Sequence, residues 1–429
     1  MPPDAGAANT ANPLPFTLAD VRAAASRIAP HVRRTPVLTS RSLNAVVSAR
    51  LGFPVDLRFK CEVFQRGGAF KARGAVNAVL ALLGGGGEQE EEDRAAAAAA
   101  RAGTPGEGGP AGDGGAAAAP AAPSAAPSKK NGVCTHSSGN HAAALALAAS
   151  LVGVPAHIVM PRNAPRCKIA ATEAYGGRIV FCSPTLKDRE EMAAKVQRAT
   201  GAVFVPPSDH ALVAAGQGTL ALEMLEDEPQ PLDALIVPVS GGGMLSGCAV
   251  AAKGLLHGGN GDSDNNGICI LAAEPRGING VADAKLCLEK GELVSGLDKT
   301  ITIADGLQAR LGESVTWPVI ERLVDGVLDC EERDLVEAMR LVAERMKIVV
   351  EPSGGCGLAA LLAEGARKAV ERAAARHAGL GRAVARAKAG GGGEGGDGAP
   401  VRIGIVLCGG NVDWTDWFDP ERWRGRVVG

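Results

Sequence analysis

Aromatic side chains are scarce, at 3% of 429 residues, with a single tyrosine. That argues against stacking platforms for single-stranded nucleic acid, which need a row of flat rings. A surplus of one charge is missing too: 45 Lys and Arg stand against 47 Asp and Glu, for a formal net charge of −2. Without basic excess, binding to a phosphate backbone is not expected. The ten cysteines form no C-x-x-C pair and no cluster with histidine at zinc-ligand spacing. Most sit among Val, Ile, Leu and Ala, and read as reduced, buried thiols of a cytoplasmic protein. Long apolar runs are also lacking. The longest, Ala142 to Met160, is broken by Pro155 and His157 and reads as helix, turn and strand, so no membrane span is expected. Met1 to Phe16 holds no arginine and no apolar run, and neither a transit nor a signal peptide is expected there.

What the chain has is a hydrophobic fraction of 46% and 58 glycines. The first is ample for a core. Much of the second sits in three segments that read as low-complexity or flexible insertions, 84–131, 257–267 and 368–400, after a disordered start over 1–13. The last of these opens with a basic, Ala-rich stretch compatible with helix. Elsewhere short apolar runs alternate with longer amphipathic ones. Ala156–Met160, Gly177–Cys182, Ala234–Val239, Ile268–Ala273 and Arg402–Leu407 read as buried parallel strands. Leu145–Val152, Asp188–Thr200, Gly218–Leu225, Leu245–Leu255 and Glu332–Lys347 read as helices between them. The alternation predicts an α/β fold with ligands at the carboxyl ends of its strands.

Three strand ends and one lysine carry chemistry. Ala234–Val239 runs into Ser240-Gly241-Gly242-Gly243-Met244 and then a helix. Bare glycines let backbone N–H groups close around an anion, and the helix N-terminus favours negative charge. Val133–His136 ends in Ser137-Ser138-Gly139-Asn140-His141, whose hydroxyls, amide and helix N–H groups suit a carboxylate, or merely cap the helix. His141 itself reads as structural. Arg402–Leu407 ends in Cys408-Gly409-Gly410-Asn411, which places one thiol where ligands bind. Upstream, Lys71 lies in Arg66-Gly67-Gly68-Ala69-Phe70-Lys71-Ala72-Arg73-Gly74. Such a lysine is solvated or, if desolvated beside an anion site, able to form a Schiff base with an aldehyde.

Those four segments, in this order, resemble the β-family (fold type II) of pyridoxal-phosphate enzymes, in its serine racemase and serine/threonine dehydratase branch. Further matches are T-P-V-L-T-S at Thr35–Ser40, A-G-Q-G-T at Ala215–Thr219, A-A-E-P at Ala272–Pro275, I-T-I-A-D-G at Ile301–Gly306 and E-P-S-G at Glu351–Gly354. The resemblance implies two parallel or mixed-sheet domains flanked by helices, with pyridoxal 5'-phosphate in the cleft between them. The large one would take 14–83 and 210–420, the small one 132–209. Lys71 would form the Schiff base with the cofactor. Ser240, Gly241, Gly242, Gly243 and Met244 would hold its phosphate, Asn140 its 3-hydroxyl and Cys408 its ring nitrogen. Ser137, Ser138 and Asn140 would hold the substrate carboxylate.

The implied activity is interconversion of L- and D-serine with ammonia-lyase activity on serine and threonine as a side path. Lys71 would serve one face of Cα and Ser138 the other. The simple dehydratases carry alanine at the Ser138 position, so this residue separates a racemase from the alternative, a catabolic L-serine/L-threonine ammonia-lyase without significant racemisation. The chain also departs from the branch. Gly67 and Ala69 replace Thr and Ser before the lysine, and Ser208 stands at a family Asn. Of the cation site for magnesium or calcium, Glu274 and the Ile278 carbonyl have counterparts, but Gly280 replaces the aspartate. Ala143 replaces a glutamine of the ATP effector site, which leaves that effector open. The expected partners are a small amino-acid substrate and a second copy of the chain, in a cytoplasmic homodimer without nucleic acid or membrane.

Overall fold

The computed structural model describes residues 13–84, 129–256, 267–390 and 398–414. The expected flexible segments fall mostly outside these residues: 1–12, 85–128, 257–266 and 391–397. Ten strands are described: β1 (Val37–Leu38), β2 (Val55–Cys61), β3 (Val133–His136), β4 (Ala156–Pro161), β5 (Arg178–Cys182), β6 (Val203–Phe204), β7 (Ala234–Pro238), β8 (Cys269–Pro275), β9 (Gly326–Cys330) and β10 (Val401–Leu407). They build a six-stranded sheet in the order β1-β2-β10-β7-β8-β9 and a four-stranded sheet in the order β5-β4-β3-β6. Only β1 pairs antiparallel; every other pairing is parallel.

Period-two burial explains why both sheets are covered on both faces. In β10, Ile403, Ile405 and Leu407 join one core cluster, whereas Val406 and the following Cys408 join another. In the small sheet Val133, Ile158 and Met160 face one cluster, while Cys134 and Val159 face the other. Ala75, Val76, Ala78 and Val79 of the helix Lys71–Val79 belong to the same small-sheet cluster as Val133. That helix therefore starts beside the large sheet and packs on the small one.

Glycine has a use here that composition hides. The helix Ala211–Asp227 crosses Lys71–Val79 so closely that a Cβ on Gly216 would lie 2.7 Å from the Gly74 Cα. It also meets Gly243–Leu256, where a Cβ on Gly218 would come within 2.5 Å of the Gly247 carbonyl. Two expectations need correction. The helix read as Gly218–Leu225 begins seven residues earlier, because tertiary contact at Gly216 and Gly218 outweighs their low helix propensity. The segment 368–400 is not a flexible insertion over its first part. Ala366–Arg376 and Ala378–Ala389 are helices that bury Val370, Ala373, Leu380, Ala383, Val384 and Ala387. Alanine at a three-to-four-residue period makes a narrow apolar stripe, and that is enough to pack.

Candidate active site

The carboxyl ends of β2, β3, β7 and β10 converge, and backbone contacts lock them together. Residues 67–70 run beside 408–411. Phe70 N donates to Cys408 O at 3.0 Å, Gly410 N to Gly68 O at 2.9 Å, and Ala69 bridges Gly409. Asn411 Nδ2 donates to Gly67 O at 2.7 Å. A positive φ of 71° at both Gly67 and Gly68 makes the sharp turn that delivers Lys71 to the first position of its helix. Lys71 keeps some exposed surface, but its amine is desolvated and donates to Pro207 O at 2.6 Å. Desolvation with no carboxylate in reach lowers it to about 8.

Pro207 leads directly to the glycine loop. A Cβ on Gly241 would overlap Ser208 Oγ, and one on Gly243 would meet Ser208 O at 2.8 Å. Gly242 has φ +86°, a value that side-chain-bearing residues rarely adopt. Ser240 Oγ donates to Ala309 O and accepts from Ala309 N, at 3.1 and 3.0 Å, which ties the loop down at its start. The first turn of Gly243–Leu256 follows at once, and its N–H groups have no intrahelical acceptors. Cys408 is buried, desolvation pushes its thiol well above the ordinary range, and it donates to Ser353 O at 3.4 Å.

The β3 loop closes the ring. Asn140 Nδ2 donates to Glu351 Oε1 at 2.5 Å, and Asn140 Oδ1 accepts from Asn411 Nδ2 at 2.9 Å. Ser137 Oγ accepts from Gly139 N at 3.2 Å. Ser138 lines a cavity of about 320 Å³ together with Lys168, Arg189, Asp305, Glu351 and Asn411. That volume accommodates a small amino acid. His141 is buried against Val205 O, and desolvation followed by the charge of Lys71 lowers it to about 3. The neutral ring fits the structural role expected for it.

Lys168 was not singled out by sequence. Its Nζ lies 2.5 Å from Asp305 Oδ2 and 3.4 Å from Glu351 Oε2. Burial lowers its affinity for a proton, but Glu351 and Asp305 more than offset this and hold it above the usual range. Asp305 and Glu351 lie in matched motifs to which no role was assigned. What joins them to Lys168 is tertiary contact across 137 residues in one case, which no local pattern reports.

Around Glu274 the structure brings together two carboxylates, where the motif spacing offers one. Glu274 accepts Ala284 N on one oxygen and Lys285 N on the other, each at 3.0 Å, and so caps the helix Asp283–Lys290. Ile278 is exposed, and Gly280 brings no oxygen from a side chain. Asp283 supplies a second carboxylate: it lies within hydrogen-bond reach of Glu274, and burial followed by the Asp283 charge holds Glu274 well above the ordinary carboxylate range.

For pyridoxal phosphate the fit is good. A desolvated amine, a glycine cradle that a Cβ would fill and a buried thiol at a neighbouring strand end suit an aldehyde, a phosphate and a pyridine ring in turn. The profile of the family described as pyridoxal-phosphate dependent enzyme matches residues 28–375. The chain belongs to that family. Within it, the chain is 40% identical to a serine racemase of Arabidopsis thaliana over 93% of its own length and 94% of the relative's. Among solved structures, maize serine racemase superposes with TM-score 0.69 at 38% identity, covering 95% of this chain and 97% of the other. A threonine deaminase of T.th. follows with TM-score 0.66 at 34% identity, covering 93% and 99%. In this family the chain is an α/β protein of fold type II, as its motifs implied.

Proposed function

We propose that the chain interconverts L- and D-serine and, as a side reaction, releases ammonia from serine and threonine. Pyridoxal phosphate, when bound, supplies a sink for the negative charge that builds at Cα. The rest is done by the chain. Ser240, Gly241, Gly242, Gly243 and Met244 would hold the phosphate through backbone N–H groups and the helix N-terminus. Cys408 would face the ring nitrogen; as a neutral thiol it does not protonate it, which moderates the sink. Ser137, Ser138, Asn140 and the N–H groups of their loop would carry the substrate carboxylate, and Asn140 also reaches the cofactor side through Asn411 and Glu351.

Lys71 holds or takes the Cα proton on one face. An amine lowered to about 8 is a competent base near neutral pH. Ser138, on the cavity wall, serves the other face. Racemisation needs both groups. Elimination needs Lys71 and a departing hydroxyl.

The observation that carries this reading is the desolvated, carboxylate-free Lys71 between the glycine loop and the Ser138 loop. Its support from outside is the likeness to serine racemases over nearly the whole chain. A cytoplasmic homodimer belongs to the same reading. Ten free cysteines support a reducing compartment, and no described helix is long and apolar enough to cross a membrane. ATP is left out, for Ala143 offers no polar group; magnesium or calcium would fall to the paired Glu274 and Asp283 carboxylates. The test is to incubate the cofactor-loaded protein with each enantiomer of serine and follow the opposite enantiomer and pyruvate. Pyruvate without the opposite enantiomer would turn the reading into that of a plain ammonia-lyase.

A further inference from the structure

The cofactor cleft lies at the carboxyl ends of the large sheet. At the opposite edge, three side chains from distant parts of the sequence meet. Cys269 opens β8, Asp325 directly precedes β9, and His377 sits between the helices Ala366–Arg376 and Ala378–Ala389. One ligand atom of each lies within 4.8 Å of the other two. Cys269 and His377 are fully buried, at 0% and 1% exposure.

His377 makes this cluster more than a chance meeting. Its Nδ1 accepts Leu380 N at 3.2 Å and caps the second helix. Its Nε2 is buried with no hydrogen-bond partner among the described residues. A buried polar atom left without a partner is costly, and such sites often await an ion or water. Asp325 accepts Ile270 N at 2.7 Å and Lys253 Nζ at 2.9 Å. Both bonds fall on Oδ2, and the Cys269 thiol hydrogen-bonds the same carboxylate.

Thiolate, imidazole and carboxylate together favour a borderline-soft divalent cation over magnesium or calcium. We propose that Cys269, Asp325 and His377 bind zinc, with a water as fourth ligand, and so pin the helix pair Ala366–Ala389 to the edge of the sheet. The protons balance as follows. Cys269 gives its thiol proton to solvent. The His377 ring proton moves from Nε2 to Nδ1, which frees Nε2 for the metal and releases the Leu380 N–H from its cap. Thiolate and carboxylate then neutralise the two charges of the ion. Lys253 is the cation that neutralises Asp325 without metal, and its partly exposed side chain can turn to solvent.

The test uses the full, cofactor-loaded protein, stripped of metal by a chelator and titrated with zinc against a chromophoric competitor. One zinc per chain and a higher melting temperature are expected. Cobalt in its place should give a tetrahedral spectrum with a thiolate charge-transfer band. Cys269→Ser should abolish that band and weaken zinc by at least about 100-fold, since even outer-shell partners are worth 10–100-fold. Should Cys269→Ser fold poorly, Asp325→Asn keeps an acceptor for Ile270 N and is expected to weaken zinc as well. Lys253→Met removes the competing cation and should bind tighter. The proposal is overturned if the parent takes up no stoichiometric zinc, if both ligand variants bind as the parent does, or if Lys253→Met binds more weakly.

Discussion

Two desolvated lysines, Lys71 and Lys168, end with opposite properties. Among the described residues the Lys71 amine has a single acceptor, the Pro207 carbonyl, and it falls to about 8. Lys168 lies against Asp305 and Glu351 and is held above the ordinary range. Loss of water pushes both the same way, so the difference comes from the carboxylates. A lysine without a counter-charge is a base and a nucleophile. One with two is a fixed cation that fastens the helix Arg166–Ala174 of the small sheet to residues of the large one. Burial alone therefore does not mark the reactive lysine; the absence of a carboxylate partner does.

The contrast can be broken most sharply at Lys71. Lys71→Ala should abolish both racemisation and ammonia release, since no base remains on the first face, whereas a neighbour's lysine taking over would leave measurable pyruvate. Ser138→Ala comes next. It should lower L-to-D conversion by about 10²–10⁴, the usual worth of an acid/base group. Ammonia from L-serine should persist and that from D-serine should fall, as chiral chromatography and a pyruvate assay would report. Equal racemisation in variant and parent would leave Ser138 as a carboxylate contact only.

Stability should sort the two lysines the other way. Lys168→Met strands Glu351 and the half-exposed Asp305, at a cost of about 3 kcal/mol, the lower end for a broken buried pair. Lys71→Met breaks no ion pair and should unfold in denaturant no earlier than the parent. The smallest effect concerns pH. Only the neutral amine attacks an aldehyde, so cofactor capture by the stripped protein should rise about tenfold per pH unit and level off above about 8. A plateau reached only near pH 10 would mean that the amine is solvated.

Legibility in the sequence followed the range of the interactions. β4, β7 and β10 were readable because a buried parallel strand writes itself as a short apolar run, as in Ala234–Val239. The four site segments were readable because each packs its chemistry into a few consecutive residues. The Lys168 cluster was not, since Arg166-Cys167-Lys168 carries no signal until Asp305 and Glu351 are brought to it. Nor was the helix start at Ala211, because Gly216 and Gly218 argue locally against the helix that their close crossings require. Ala366–Ala389 was masked by its alanine-rich composition, where the apolar stripe differs from its flanks by little more than a few methyl groups.

β10 lies between β2 and β7 at the middle of the large sheet, yet it is the last of the described strands in chain order. During synthesis, β2 and β7 therefore leave the ribosome with facing edges that nothing can fill until Val401–Leu407 follows. The turn that aims Lys71 waits longer still, for its partners are Cys408 to Asn411. Catalytic competence thus arrives in the final moments of folding, all at once. Until then the nascent chain carries two open strand edges, and a chaperone or a second nascent copy that bound them would decide between a working enzyme and an aggregate.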